Sequence, residues 1–156
     1  MPKMKASNPI IPTTYNEQRS WDVAVLDEYR AHHGRLGGLS PLLEGSPIFL
    51  LTTKGQQSGK DYTVPLCYVE DDDRVVVLAS RGGTDTHPLW YFNALADPKV
   101  TIEKYGETYR ARATVIDEGP ERDRLFRLLV AAIPQLGEYS KMTTRAIPIV
   151  AFTRSS

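Results

Sequence analysis

The feature that most constrains the fold is a series of short β-type runs, separated by turn residues, that occupies most of the chain after Pro47. Most neighbouring runs are joined by tight turns, and no regular alternation of strands with helices is present, which argues against a parallel Rossmann-type sheet. The pattern predicts an α+β fold, mainly antiparallel, in which a closed or nearly closed barrel carries flanking helices. The six predicted strands are Ile48–Thr53, Tyr62–Glu70, Arg74–Ser80, Lys99–Tyr105, Glu107–Ile116 and Ile147–Thr153.

An amphipathic helix is predicted before the first strand, over about residues 16–33, with Asn16 as its N-cap. Its apolar stripe repeats at every fourth position and consists of Trp21, Val25 and Tyr29. Residues 1–14 show no such periodicity and contain three prolines, so we expect a flexible N-terminal arm there. The remaining residues, 15–156, are expected to form a single domain.

Two further helices are predicted at prolines, since proline is well suited to the first helical position. One spans Pro88 to about Ala96, and the other begins at Pro120 and is ended by Pro134. The segment 135–144 is interpreted as a link to the last strand.

Composition and charge limit the class of protein. The 156 residues carry 19 Lys and Arg against 19 Asp and Glu, and a net charge of zero disfavours a nucleic-acid-binding protein. The single cysteine, Cys67, excludes an internal disulfide. No apolar run approaches the roughly 18 residues of a membrane span, and no signal-peptide pattern is present. We expect a cytoplasmic protein, with peripheral membrane association through the N-terminal segment left open.

Motifs for nucleotide hydrolysis and metal binding are not complete. The segment Gly55–Asp61 is similar to a phosphate-binding P-loop, but it is one residue too short between the glycines and Asp61 replaces the Ser or Thr that would bind magnesium. The three histidines, His32, His33 and His87, have no carboxylate or cysteine at metal-ligand spacing. No metal site is therefore expected.

Three segments combine a strand end with a polar loop, and they are Leu50–Lys60, Val64–Tyr68 and Ala79–Gly83. Backbone N–H groups and cations in such loops are suited to a phosphate-bearing, anionic ligand. The side chains that would contribute are those of Lys54, Ser58, Lys60 and Arg81. Ordinary hairpin loops with incidental lysines are the alternative interpretation.

The same segments, with others in fixed order, closely resemble the deazaflavin-dependent nitroreductase family, over about Gly37 to Val150. The matching motifs are Leu51-Thr52-Thr53-Lys54-Gly55-x-x-Ser58-Gly59, Val64-Pro65-Leu66, Ser80-x-Gly82-Gly83, His87-Pro88-x-Trp90-Tyr91-x-Asn93, Asp97-Pro98 and Thr144-Arg145-x-Ile147-Pro148-Ile149-Val150. The resemblance implies a split β-barrel and a reductase that uses reduced coenzyme F420. It also implies that Trp90 packs in the core or, like Asn93, braces the cofactor loop from a helix.

The resemblance implies a cofactor site in which the deazaflavin ring lies near the strands and the anionic tail lies in the loop after the first strand. The residues that it places at the cofactor are Leu50, Leu51, Thr52, Gln56, Gln57, Ser58, Gly59, Lys60, Asp61, Leu66, Cys67, Tyr68, Val77, Leu78, Ala79, Ser80 and Arg81. Family members often carry Arg-Lys where this chain has Gln56-Gln57. The tail loop has therefore lost two cations, and weaker tail binding is expected.

The resemblance also implies a substrate pocket, in which Ser80 and Tyr139 are the candidate catalytic residues. Ile133 and Leu136 stand where nitroimidazole-reducing members have tyrosines, so the pocket formed by these two residues and Tyr139 is expected to be more apolar. In such enzymes the cofactor provides a hydride, and the protein positions the acceptor and donates a hydrogen bond or proton.

We predict an F420H2-dependent reductase that acts on a conjugated, electron-poor small molecule. The candidate acceptors are quinones, α,β-unsaturated lactones or ketones such as coumarin-type compounds, and nitroaromatics. Two alternatives stay open: an FMN- or haem-binding split barrel, and a non-catalytic carrier of deazaflavin or lipid. A homodimer is an open alternative for the assembly.

Overall fold

The structure, a computed structural model, describes residues 15–32, 47–80 and 85–155. The predicted arm at 1–14 lies outside the described residues. The elements in chain order are α1 (Tyr15–Ala31), β1 (Ile48–Lys54), β2 (Asp61–Cys67), β3 (Val69–Asp71), β4 (Arg74–Leu78), α2 (Leu89–Ala96), β5 (Lys99–Lys104), β6 (Glu107–Ile116), α3 (Gly119–Ala132), α4 (Gln135–Ser140) and β7 (Ile149–Arg154).

The strands form one antiparallel sheet in the order β2-β1-β5-β6-β7-β4-β3. The two edge strands, β2 and β3, are consecutive in the chain and separated by Tyr68 alone. The backbone N–H of Tyr68 still donates to the Pro47 carbonyl at 3.1 Å, which extends the β1–β2 pairing up to the break. The sheet therefore curls until its edges meet, and the predicted antiparallel barrel is confirmed.

Turn residues of the sequence set the hairpins as expected. Tyr105 and Gly106 both have positive φ, 47° and 88°, as a two-residue type I′ turn between twisted strands requires. Pro65 lies within β2, an edge strand where no second partner needs its missing N–H. Pro148 lies just before β7, which is central in the sheet.

Three clusters of buried side chains fill the fold. An interior cluster inside the barrel is centred on Phe49, Leu51 and Phe152, with Trp90 of α2 packed into it. An outer cluster lies under α3 and α4 and includes Leu125, Leu129 and Leu136. A third, the α1 cluster, consists of Val25, Leu26, Tyr29, Ile48 and Leu50, with Cys67 packed against it. The alternation of side chains along β1 separates the interior cluster from the α1 cluster, since odd-numbered β1 residues face inward and even-numbered ones face α1.

Three predicted boundaries are wrong. The predicted strand Tyr62–Glu70 is broken at Tyr68, so the described residues contain seven strands and not six. The link predicted over 135–144 contains α4, a six-residue helix too short for a readable periodicity. The first helix begins at Tyr15, so Asn16 lies inside its first turn and is not its N-cap. None of the helices in the described part of the chain is long and apolar enough to cross a membrane.

An ion-pair network joins the β3–β4 hairpin to α3. Arg124 donates to both carboxylate oxygens of Asp71, at 3.0 and 2.9 Å, and Arg74 donates to the same carboxylate. The side chain of Asp71 is 13% exposed. The Arg124 guanidinium, and after it that of Arg74, hold the pKa of the Asp71 carboxyl well below its usual range. The network therefore stabilises the fold while this carboxyl is ionised.

Replacement of Asp71 by Asn is expected to lower the free energy of unfolding at neutral pH by roughly 1 kcal/mol. Because the folded-state pKa is depressed, this stabilisation is complete above the unfolded value of about 3.9 and disappears as the pH falls through the folded value. Urea unfolding of parent and variant should therefore differ at pH near 7 and converge in acid. Asp123→Asn, an exposed substitution next to Arg124 on α3, is the control. Equal urea midpoints for Asp71→Asn and the parent at neutral pH would contradict the assignment.

Candidate functional site

The loop of residues 55–60 joins β1 to β2 and is closed by its own backbone. The N–H of Gly55 donates to the Lys60 carbonyl at 2.8 Å, and the N–H of Gly59 donates to the Gly55 carbonyl at 2.9 Å. Gly59 has a φ of +73°, which glycine adopts without steric cost. A Cβ atom added at Gly55 would lie 2.7 Å from Oγ of Ser58. The 55–60 loop therefore has a defined, tight shape, in which glycine suits the backbone at position 59 and a side chain at position 55 would displace the Ser58 hydroxyl.

The donors left in the 55–60 loop are fewer than the sequence alone indicates. Four of its six N–H groups are used, because Gln56 donates to Asn93 and Lys60 donates to Oγ of Ser58, at 3.2 and 3.1 Å. Within the described residues the N–H groups of Gln57 and Ser58 make no hydrogen bond. The side chains of residues 56–60 are exposed.

The three predicted cations differ in what the structure says of them. The ammonium of Lys54 lies 3.4 Å from the Asp61 carboxylate, so its charge is shared. Lys60 is exposed and forms no ion pair within residues 47–80 and 85–155. Arg81 lies outside the described residues. Lys60 is therefore the described cation of this loop that is available to an anionic ligand.

Asn93 of α2 fixes the 55–60 loop to the barrel. Its side chain is 1% exposed, its Nδ2 donates to Oγ1 of Thr53 at 3.1 Å, and its Oδ1 accepts from the N–H of Gln56. The prediction that Asn93 braces this loop agrees with these contacts. Trp90 is 3% exposed and its ring centroid lies 6.1 Å from that of Phe152, so it packs in the core.

The strand residues expected at the cofactor are distributed over the three clusters. Members of the interior cluster are Leu51, Leu66, Tyr68, Val77 and Ala79; Leu50 and Cys67 belong to the α1 cluster, and Leu78 belongs to the outer cluster. Oγ1 of Thr52 lies 2.7 Å from Oγ1 of Thr63 on β2. Thr52 and Leu66 keep part of their surface exposed, whereas Leu50 and Leu51 have none. The structure therefore does not bring this whole set to one surface.

Ser80 lies two residues beyond the end of β4 and is 7% exposed. Its N–H donates to the Leu78 carbonyl, and its own carbonyl accepts from Nη2 of Arg145 at 2.7 Å. Nη1 of the same Arg145 lies 2.7 Å from Nδ1 of His87. The sequence motifs include both Arg145 and His87, but no sequence signal indicates this contact, because the two residues are 58 positions apart.

Tyr139 lies on α4 and packs, with Ile133, against the outer cluster, of which Leu136 is a buried member. Burial, and after it the nearby Cys67 thiol, raises the pKa of the Tyr139 phenol to about 12. Burial also raises the pKa of the Cys67 thiol to about 11. Both groups therefore stay protonated at neutral pH, so Tyr139 can donate a hydrogen bond and Cys67 is a poor nucleophile.

Within the described residues no group of His, Cys, Asp and Glu side chains is arranged to hold a metal ion. The described part of the chain instead presents a loop with two available N–H groups and a cation, a buried serine beyond the end of β4, and a protonated tyrosine on α4. Such a set can bind an anionic group and donate hydrogen bonds to an uncharged acceptor.

Comparisons with known proteins agree with this chemistry. The family model for F420H(2)-dependent quinone reductase matches residues 23–154. A protein of Mycobacterium tuberculosis (strain ATCC 25618 / H37Rv) named F420H(2)-dependent quinone reductase is 31% identical over 128 residues, which cover 81% of this chain and 85% of that protein.

Two solved structures are also similar. One, of an F420-H2 dependent reductase (FDR-A), has 39% identity and a TM-score of 0.62, over 68% of this chain and 93% of that chain. The other, described as a domain-swapped dimer, has 35% identity and a TM-score of 0.65, over 86% of this chain and 98% of that chain.

These matches confirm the predicted split β-barrel, the F420H2-dependent reductase activity and reduced coenzyme F420 as the cofactor. The resemblance implied a family named for nitro compounds, whereas the matching model is named for quinones. Since that model covers the chain from α1 to the end of β7, the chain belongs to the F420H(2)-dependent quinone reductase family.

Proposed function

We propose that this chain reduces quinones with F420H2, and that the 55–60 loop, the ends of β1, β2 and β4, and α4 form the site. The observation that carries the proposal is the family match over residues 23–154, which contain each of these elements. α,β-Unsaturated lactones and ketones share the electron-poor conjugated carbonyl of quinones and belong to the same proposed acceptor class. Reduction of nitroaromatics stays a prediction from the sequence.

The 55–60 loop fits the anionic tail of the cofactor. Two backbone hydrogen bonds between Gly55 and residues 59 and 60 keep the loop compact, and the N–H groups of Gln57 and Ser58 remain available as donors. Lys60 adds an exposed positive charge. These three residues would hold the tail, and Asn93 would keep the loop in the required shape. Gln56 and Gln57 carry no charge, so the site relies on fewer cations than its relatives often have.

The reduced deazaflavin ring, when bound, supplies a hydride to the acceptor. Thr52, Leu66 and Cys67 are the partly exposed members of the predicted strand set. Leu66 faces the barrel interior, whereas Thr52 and Cys67 face the other side of the sheet, and Cys67 lies near Tyr139. We therefore assign the direct contact with the ring to Thr52. Buried members such as Leu51 and Val77 would act by fixing the strands of the site. The protein's part is mainly to position the acceptor, which can contribute several kcal/mol to catalysis.

Ser80 and Tyr139 are proposed to donate hydrogen bonds or a proton to the reduced acceptor. Donation matters because hydride transfer to a quinone leaves negative charge on its oxygen. Tyr139 remains a donor through the neutral range, since its pKa is about 12. Ile133 and Leu136 lie beside Tyr139 and provide apolar contact to the acceptor, which mainly affects ground-state binding.

A titration of the purified protein tests the cofactor and the activity together. Binding of F420, FMN, haem and NADPH is compared by fluorescence and absorbance, and oxidation of F420H2 is then followed with menadione as the quinone. F420 binding followed by turnover is expected. Binding of FMN or haem with no binding of F420, or F420 binding without oxidation of F420H2, would favour the alternatives that the sequence left open.

Replacement of Lys60 by Ala is expected to raise the Kd for F420 by roughly tenfold or more, because a hydrogen bond to a charged group contributes about 1.5–3 kcal/mol. The loss should shrink at high salt, which screens an exposed charge. Fluorescence titration at low and high ionic strength measures both effects.

The matched control for Lys60→Ala is Arg127→Ala, which removes the same charge from an exposed position on α3. Gln57→Lys, which returns a cation to the loop, is expected to tighten F420 binding. Equal affinities for Lys60→Ala, Arg127→Ala and the parent would show that Lys60 does not hold the tail.

Replacement of Ser80 by Ala is expected to lower kcat with menadione by about tenfold or more, since one donor to a developing oxyanion contributes about 2.7–4 kcal/mol in a dry site. Tyr139→Phe should lower kcat by a factor that stays constant across the neutral pH range, because the phenol does not ionise there. Steady-state kinetics at saturating F420H2 measures both effects. Full kcat in both variants would mean that water, and neither residue, protonates the product.

A further inference from the structure

Arg145 connects the end of β4 and the residue before α2 to a part of the chain that is distant from both in sequence. Its Nη2 donates to the Ser80 carbonyl at 2.7 Å and to the Ala79 carbonyl at 3.3 Å. Its Nη1 lies 2.7 Å from Nδ1 of His87, just before α2. Arg145 itself lies between α4 and β7, and its backbone N–H donates to Oγ1 of Thr143 at 3.2 Å.

The carbonyl groups of Ala79 and Ser80 need this partner. β4 ends at Leu78, and although the Ala79 N–H still donates to the Pro148 carbonyl at 2.9 Å, no strand pairing provides a donor to the carbonyls of these two residues. Both residues are buried, at 1% and 7% exposure, and a buried carbonyl without a hydrogen bond is costly. The planar guanidinium satisfies both carbonyls from one nitrogen and leaves the other nitrogen for the histidine.

The contact with Arg145 also sets the state of His87. A guanidinium cannot accept a hydrogen bond, so Nδ1 of His87 is the acceptor and the ring proton lies on Nε2. Burial, and after it the charge of Arg145, lowers the pKa of His87, which keeps the ring neutral. The ring packs on Tyr91 of α2 with centroids 4.9 Å apart. Arg145 therefore links the backbone of Ser80 to α2.

The segment that carries Arg145 begins at the end of α4. The N–H of Met142 donates to the Tyr139 carbonyl at 3.1 Å, and the Thr143 hydroxyl donates to the Asp85 carboxylate at 2.7 Å. From these contacts we infer that Arg145 is a positioning residue for the reaction. It holds the backbone of Ser80, and thereby keeps the serine hydroxyl beside the acceptor during hydride transfer. This inference rests on the proposed function, in which Ser80 is a donor.

Loss of a partly buried arginine that holds backbone carbonyls could lower activity by loosening the fold, so a matched control is needed. Arg122 provides one, because its Nη2 donates to the Ile147 carbonyl at 2.8 Å, two residues from Arg145. Arg122→Ala thus removes a guanidinium from a backbone carbonyl of the same region. Arg122 lies on α3 and is not part of the proposed site. Its removal is expected to leave kcat unchanged.

The experiment is a double-mutant cycle between Arg145 and Ser80, with kcat measured at saturating F420H2 and menadione. Arg145→Ala is expected to lower kcat by about tenfold, since small displacements of a reacting group can cost up to about a hundredfold. Combined with Ser80→Ala, it should cause no further loss, because the hydroxyl that Arg145 positions is then absent. Arg145→Lys keeps the charge but not the planar fork, and it is expected to restore kcat only in part.

The outcomes separate this inference from the proposed function. If Ser80→Ala keeps full kcat, the assignment of Ser80 as a donor fails, and the role of Arg145 fails with it. If Ser80→Ala is impaired but Arg145→Ala is not, or if the two losses multiply, the role of Arg145 alone is overturned. An equal loss in Arg122→Ala would also overturn it. Should Arg145→Ala fail to fold by circular dichroism, the same cycle is read with Arg145→Lys.

Discussion

The closure of the barrel at Tyr68 is the constraint on which the rest of the structure depends. On one side of this residue the chain pairs with β1, and on the other side it pairs with β4, so one continuous backbone provides both edges of the sheet. Through this stretch Leu66 and Tyr68 face the interior cluster, whereas Cys67 faces the α1 cluster. Because side chains alternate with a period of two, a shift by one residue would exchange these environments. The Tyr68 ring, edge-on to Phe49 at 5.4 Å, favours the observed register.

Closure also brings the 55–60 loop and the end of β4 to the same helix. α2 holds the 55–60 loop through Asn93, and the end of β4 is linked to α2 through Arg145 and His87, whose ring packs on Tyr91. The helix is itself fixed in the barrel by the buried Trp90. Eight residues of helix thus set the distance between the proposed tail-binding loop and Ser80. This arrangement explains why the helix is apolar on its inner face and yet contains a buried asparagine whose amide nitrogen and oxygen are both hydrogen-bonded.

The parts of the fold that the sequence predicts are those with local causes. The hairpin at Tyr105 and Gly106, the start of the helix near Pro120 and the alternation along β6 each depend on neighbouring residues. The break at Tyr68 has no such signal, because the run around it is continuously strand-like and only pairing with two different strands divides it. α4 has no readable sequence signal because six residues give less than two turns, and one of the six is Gly137, where an added Cβ atom would lie 3.3 Å from a Val130 methyl group.

The candidate site also has parts that local sequence motifs predict and parts that only the tertiary structure shows. Local motifs indicate the 55–60 loop and Ser80, whereas the contact between Arg145 and the Ser80 carbonyl joins residues 65 positions apart and is visible only in three dimensions. The same contact has an electrostatic consequence. Burial keeps Tyr139 and Cys67 protonated, and His87 is held neutral by burial and by Arg145. The Arg145 guanidinium, bound to the carbonyl of Ser80, is then a permanent positive charge close to the proposed donor. In the proposed site a developing oxyanion would therefore meet neutral donors, with a fixed cation near Ser80, and the strength of this arrangement would not change with pH in the neutral range.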